Sequence, residues 1–123
     1  MRILIADDSQ AFVQRLTSRL EECAGIEIVG HADNAADATR EIRKVKPDVV
    51  ILDIRMPGGS GIEVLDSLEN DSSKPIVMML TNCSHQQYRR RCLESGASYF
   101  FDKSAEFHKV AEALQSLMNV VPA

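Results

Sequence analysis

Apolar residues fall along this chain in two alternating textures: short unbroken runs, and longer stretches with helical spacing. Residues 3–6, 49–52 and 76–80 are almost uninterrupted, the pattern of strands covered by other structure on both faces. Residues 26–29 carry Glu27 in their midst and residues 99–101 form only a brief run, so both are expected at sheet edges. Between the runs, Phe12, Leu16, Leu20 and Cys23 share one helical face, and so do Ala35, Ala38, Ile42 and Val45. Pro47 ends that second helix. Residues 61–70 contribute Val64, Leu65 and Leu68, and Tyr88 and Cys92 mark a fourth helix stopped at Gly96. Phe107, Val110, Leu114 and Leu117 recur at steps of three and four in a fifth.

Five strand–helix units emerge, with no internal repeat and no low-complexity linker. The alternation predicts an α/β domain with a five-stranded parallel sheet. Right-handed crossovers restrict such a chain to an open, doubly wound sheet. The predicted domain spans residues 1–123, with 119–123 as a tail or the start of a linker.

Composition narrows the function classes. A chain of 123 residues suits one domain, and its apolar and charged fractions, 45% and 26%, are ordinary for a globular protein. Net charge is −4, so direct nucleic-acid binding by this chain is not expected. The apolar runs are too short for a signal peptide or a bilayer span. Cys23, Cys83 and Cys92 are odd in number and lack C-x-x-C spacing, which fits reduced thiols in a cytoplasmic protein.

In a doubly wound sheet, ligands bind beyond the carboxyl ends of the central strands. Those ends carry Asp7-Asp8, Asp53, Thr81-Asn82 and Asp102-Lys103. Singly, each has a plain structural reading: Asp7-Asp8-Ser9 as a helix cap, Lys103 as a solvated lysine, Thr81 as a β-branched strand residue. Together they aim carboxylates, a hydroxyl and an ammonium at one crevice. Two carboxylates about 4 Å apart repel by about 4 kcal/mol at an effective dielectric near 20. A hard divalent cation offsets that repulsion. Mg²⁺ takes one or two carboxylates plus waters and phosphate oxygens, which suits this set, and Lys103 adds a point charge able to meet a phosphate.

The motifs Ile3-Leu4-Ile5-Ala6-Asp7-Asp8-Ser9, Asp53-Ile54-Arg55-Met56-Pro57 leading to Gly61, Leu80-Thr81, Gly96-Ala97 and Lys103 resemble the response-regulator receiver domain of two-component signal transduction. The resemblance covers essentially the whole chain. It implies a flavodoxin/CheY-like (βα)5 fold with strand order 2-1-3-4-5. It implies that Asp53 is the phosphoacceptor, supplied by a sensor histidine kinase or a phosphotransfer protein. Asp8, Asp53 and the Arg55 backbone carbonyl would ligate Mg²⁺, with Asp7 acting through water. Lys103 would neutralise the phosphoryl group, and Thr81 would donate to it. Phe100, three residues before Lys103, would be the aromatic partner of Thr81 in the switch. The output surface would lie on the last two helices and strand five, serving an output protein or domain, or a homodimer.

Departures from the family pattern bear on that reading. Ser104 follows Lys103 where many receivers place a cis proline. Asn82 stands where a small residue is usual. Arg55 and Cys83 occupy the variable positions that tune dephosphorylation, and neither is an acid that could orient water. Arg89-Arg90-Arg91 fan about 100° apart around their helix and read chiefly as solvated charge.

Three alternatives compete. A phosphatase with an aspartate nucleophile and Mg²⁺ usually wants a second aspartate two residues on, where this chain has Arg55. A flavin carrier needs a phosphate-cradling loop where Asp7-Asp8 would repel the phosphate. A degenerate receiver conflicts with the full set Asp7, Asp8, Asp53, Thr81 and Lys103. The chain is therefore expected to catalyse only its own phosphorylation and dephosphorylation.

Overall fold

The structure is a computed structural model that describes residues 1–119. Strands β1 (Arg2–Ala6), β2 (Glu27–Ala32), β3 (Val49–Leu52), β6 (Ile76–Thr81) and β7 (Tyr99–Asp102) form a parallel sheet in the order β2-β1-β3-β6-β7. A short antiparallel hairpin, β4 (Arg55–Met56) with β5 (Gly59–Ser60), lies outside that sheet. Counting the parallel strands alone, the order is the expected 2-1-3-4-5, and both predicted edge strands are edges.

Five helices cover the sheet: α1 (Gln10–Glu21), α2 (Ala35–Val45), α3 (Gly61–Ser67), α4 (Gln86–Glu94) and α5 (Phe107–Asn119). Each strand's alternate side chains feed one of two cores. Ile3, Ile5, Ile51, Met78 and Leu80 pack with Leu16 and Leu20 of α1 and Val110 and Leu114 of α5. Leu4, Val50, Leu52 and Met79 pack on the other face with Ile42 of α2, Val64 and Leu65 of α3 and Cys92 of α4. Burial on both faces is why the central strands read as continuous apolar runs.

Helix ends are set locally. Ser9, Asn34 and Ser60 cap α1, α2 and α3 by accepting backbone N–H bonds from the following turn. α2 stops at Lys46, which takes a left-handed conformation (φ 48°) just before Pro47. Gly96 follows α4 at φ 106°, a backbone conformation natural to glycine. The third helix ends at Ser67, short of the predicted Asn70. α5 is described as far as Asn119, and residues 120–123 of the predicted tail lie outside the described residues. The three cysteines are free and buried, and burial pushes the Cys92 thiol up to about 11. No described helix is long and apolar enough to cross a membrane.

Candidate functional site

The ladder of the sheet continues one residue past its strands, and that extension builds the site. Asp53 N–H donates to the Ala6 carbonyl at 3.0 Å, and Asp7 N–H donates to Ala32 at 2.9 Å. Lys103 N–H donates to the Thr81 carbonyl, also at 3.0 Å. Register thus fixes Asp7, Asp53 and Lys103 relative to one another before any side chain is considered. Gly61 tightens the arrangement from below, its N–H donating to Ile54 at 2.7 Å.

One carboxylate oxygen from each of Asp7, Asp8 and Asp53 lies within 4.8 Å of the others. Asp7 and Asp53 are buried, whereas Asp8 opens to solvent. The Lys103 ammonium reaches back across the sheet edge, 2.7 Å from Asp7 Oδ2 and 3.0 Å from Asp53 Oδ2. Asp53 Oδ1 accepts from the Ile54 N–H at 2.7 Å, and Asp7 Oδ1 accepts from the Ser9 N–H at 2.9 Å. The capping role read for Asp7-Asp8-Ser9 falls to Ser9; Asp8 lines the adjoining cleft, and Asp7 lies buried against Lys103.

The charge balance is uneven. Burial lifts the Asp7 carboxyl above its ordinary value, although the Lys103 ammonium and the Ser9 N–H oppose the rise. Burial pulls the Lys103 ammonium down, but its bonds to Asp7 and Asp53 outweigh that, so its pKa is raised. Three carboxylates against one ammonium leave an excess of two negative charges among all-oxygen donors. This donor set fits a hard divalent cation such as Mg²⁺.

The adjoining cleft of about 460 Å³ is lined by Asp8, Ser9, Asp53, Arg55, Thr81, Asn82, Cys83, His85 and Lys103. Thr81 is fully buried, and its hydroxyl oxygen accepts the Cys83 N–H at 3.0 Å, which leaves its own proton to donate. Asn82 and Arg55 stand exposed at the rim. Phe100 is 4% exposed and packs inward, its carbonyl accepting from Arg89 at 3.2 Å. Of the arginine triplet, Arg91 pairs with Asp66 at 2.7 Å, while Arg89 and Arg90 both line a hollow on α4 away from the cleft.

The loop after Lys103 is built without a cis bond; no described peptide is cis. Asp102 Oδ1 accepts from both Ser104 N–H and Ala105 N–H at 2.8 Å, and Glu106 Oε1 accepts the Asp102 N–H at 3.1 Å. The Ser84 hydroxyl, with those two amides, holds the Asp102 carboxyl below its usual value.

Two neighbours of the site were not tied to it from the sequence. His85 lines the cleft beside Ser9, which the sequence offered only as a cap and motif residue, and the Phe12 ring lies 4.3 Å from the Lys103 Nζ. Phe12 had the signature of a core position on α1, and nothing in its spacing distinguished an ammonium neighbour from a methyl one.

The sequence profile of the family described as response regulator receiver domain matches residues 3–115. The chain is 37% identical, over 95% of its length and 48% of the relative's, to an uncharacterised response regulatory protein of Yersinia pestis. It is 32% identical to the transcriptional regulatory protein DesR of Bacillus subtilis, over 95% of this chain and 58% of that one. The chain thus spans about half the length of the curated relatives it matches. Among solved structures, a Borrelia burgdorferi CheX–CheY–BeF3–Mg complex superimposes with a TM-score of 0.87 at 28% identity, covering 96% of this chain and 89% of that one.

Proposed function

The chain belongs to the response regulator receiver domain family, and from that premise we propose that Asp53 is the phosphoacceptor of a two-component relay. The observation that carries this reading is the buried Lys103 ammonium bridging Asp7 and Asp53 within a cup of three carboxylates.

A carboxylate oxygen of Asp53 attacks phosphorus, and the bond from phosphorus to the donor's nitrogen or oxygen breaks, its electron pair leaving with the donor. Aspartate is a competent nucleophile for this transfer, which depends on positioning and charge neutralisation more than on covalent help. The Ile54 N–H anchors one oxygen of the nucleophile. Lys103 follows a phosphoryl oxygen as negative charge moves onto Asp53, and Thr81 donates its free proton to another. Asp8, Asp53 and the Arg55 carbonyl would hold Mg²⁺ directly, and Asp7 through water. Bound there, the ion supplies neutralisation for the carboxylates and the incoming phosphoryl group.

Modification adds charge and strong acceptor oxygens at one spot. Drawing Thr81 toward them breaks its bond with Cys83 and so disturbs the loop leading into α4. Phe100 is already inside, so switching through it changes what the ring packs against rather than whether it is buried. The readout falls on α4, β7 and α5, toward an output domain, an output protein or a second copy. The donor is a histidine kinase or phosphotransfer protein in the cytoplasm. This segment turns over no substrate beyond its own acyl phosphate and makes no nucleic-acid contact of its own.

Acetyl phosphate with Mg²⁺ tests the assignment. Intact mass should rise by one phosphoryl group, and both Asp53→Asn and chelation of the metal should abolish the gain. Label persisting in Asp53→Asn would refute the assignment.

A further inference from the structure

Lysine is a long, flexible side chain, and a charge delivered by it is useful in phosphoryl transfer only if something holds it in place. The Lys103 ammonium has three N–H donors. Asp7 Oδ2 and Asp53 Oδ2 lie on two of its sides, at 2.7 and 3.0 Å. On a further side, 4.3 Å away, is the centroid of the Phe12 ring. That distance is well inside the range of cation–π attraction, which strengthens when the cation is desolvated, and Lys103 is only 8% exposed.

The ring is itself held. Phe107, the first residue of α5, meets Phe12 edge to face at 5.8 Å and 78°. Arg15, one turn beyond Phe12 on α1, lies 4.2 Å over the Phe107 ring. At the backbone, the Phe12 N–H donates to the Ser9 hydroxyl at 3.3 Å, and the Ser9 N–H in turn donates to Asp7. The same turn therefore sets the acidic cup and the ring that faces it. Cation, ring, ring and cation form one chain of contacts linking the site to the first residue of α5 and back to α1.

We propose that Phe12 is a positioning residue: its ring face holds the Lys103 ammonium over the cup, ready for the phosphoryl group arriving at Asp53. The inference rests on the phosphoacceptor reading given above, and it adds a residue from α1 to a site otherwise built from strand ends. Without the ring, the ammonium keeps its carboxylates but gains freedom to swing toward solvent. Phosphorylation then has to recover that order during the reaction.

Graded fluorination separates this role from plain packing. Replacing Phe12 site-specifically with mono-, di-, tri- and pentafluorophenylalanine drains negative charge from the ring face while nearly keeping its shape. The labelling rate with acetyl phosphate and saturating Mg²⁺ should fall stepwise, by about threefold to thirtyfold across the series, with little change in Tm. Phe12→Tyr should retain most of the rate, and Phe12→Leu, which keeps a hydrophobic side chain, should lose it. In the unmodified protein, the Lys103 methylene protons should show a ring-current shift that disappears in Phe12→Leu.

Equal rates across the fluorinated series would overturn the proposal, and so would a Lys103 spectrum indifferent to Phe12→Leu. A wild-type chain that takes no label at Asp53 would instead refute the phosphoacceptor reading. The ring-current shift is independent of labelling and would still decide whether the ring holds the ammonium.

Discussion

The most severe small change the structure allows is Gly61→Ala, a single added methyl group. Gly61 opens α3 directly beneath Asp53. A Cβ there would sit 2.9 Å from the Asp53 carbonyl carbon and 3.1 Å from the Ile54 Cα, and closer still to the Asp53 carbonyl oxygen. Carbon atoms prefer separations of about 3.5–4.0 Å, so the backbone at Asp53 must give by about 1 Å. No flexible side chain can absorb the shift, because every one of those atoms is main chain. Overpacking of this kind costs about 2–3 kcal/mol, which lowers Tm by roughly 10 °C for a domain of this size.

The effect on chemistry should exceed the effect on stability. Asp53 meets Lys103 at 3.0 Å and takes its own Ile54 N–H at 2.7 Å, and a displacement of about 1 Å breaks one or both. Misplacement on that scale costs about a hundredfold in rate. Thermal melting by circular dichroism and the rate of mass gain with acetyl phosphate measure the two effects on one preparation. A folded Gly61→Ala protein that labels at the wild-type rate would refute the claim that this glycine sets the nucleophile. A Tm within a degree of wild type would show that the clash is relieved at no expense.

The remaining expectations concern charge. Mg²⁺ at a hundred times its dissociation constant should raise the unfolding free energy by about 2.7 kcal/mol, and Asp8→Asn should largely remove that gain in urea titrations. Asp7 has a folded pKa above its ordinary value of 3.8, so ionising it costs stability as pH rises through the folded value. Asp7→Asn should therefore stabilise the metal-free protein at neutral pH, with the advantage vanishing in acid; a lower urea midpoint at pH 7 would refute this. Asp102 is held below its ordinary value of 3.8, so its contribution is present above that pH and lost as pH falls through the folded value. Asp102→Asn should flatten the acid limb of the stability profile, and an unchanged limb would mean the β7–α5 loop owes nothing to that carboxylate.

How much of this was legible beforehand depends on what each feature rests upon. The sheet order and the convergence of Asp7, Asp53, Thr81 and Lys103 follow from topology. Parallel strands end on one edge, so residues at those ends meet whatever the loops do. The hairpin of β4 and β5 was invisible because two-residue strands carry no periodicity. The clasp at Asp102 was also hidden: Ser104 announced only that the usual proline was missing. The structure supplies a different means of fixing that loop, two N–H bonds to one carboxylate oxygen. Phe12 escaped because hydrophobic spacing reports that a residue is buried, never what it is buried against.

These details bear on why the site is poised rather than merely acidic. An excess of two negative charges in a partly buried cup opposes folding, and it could have been relieved by replacing one aspartate. Retaining all three leaves a charge that, on the reading proposed above, an external cation would balance, and among the described residues Lys103 is the basic side chain that touches both buried carboxylates. On the phosphoacceptor reading proposed above, a phosphoryl group on Asp53 would compete for that same ammonium. If Lys103 turned to the new oxygens, Asp7 would lose the basic partner it has among the described residues, and Thr81 would be drawn from Cys83. On that reading the response would begin as a redistribution of a few hydrogen bonds at the strand ends. It would reach the helices because two of those bonds belong to the loops that lead into α4 and α5.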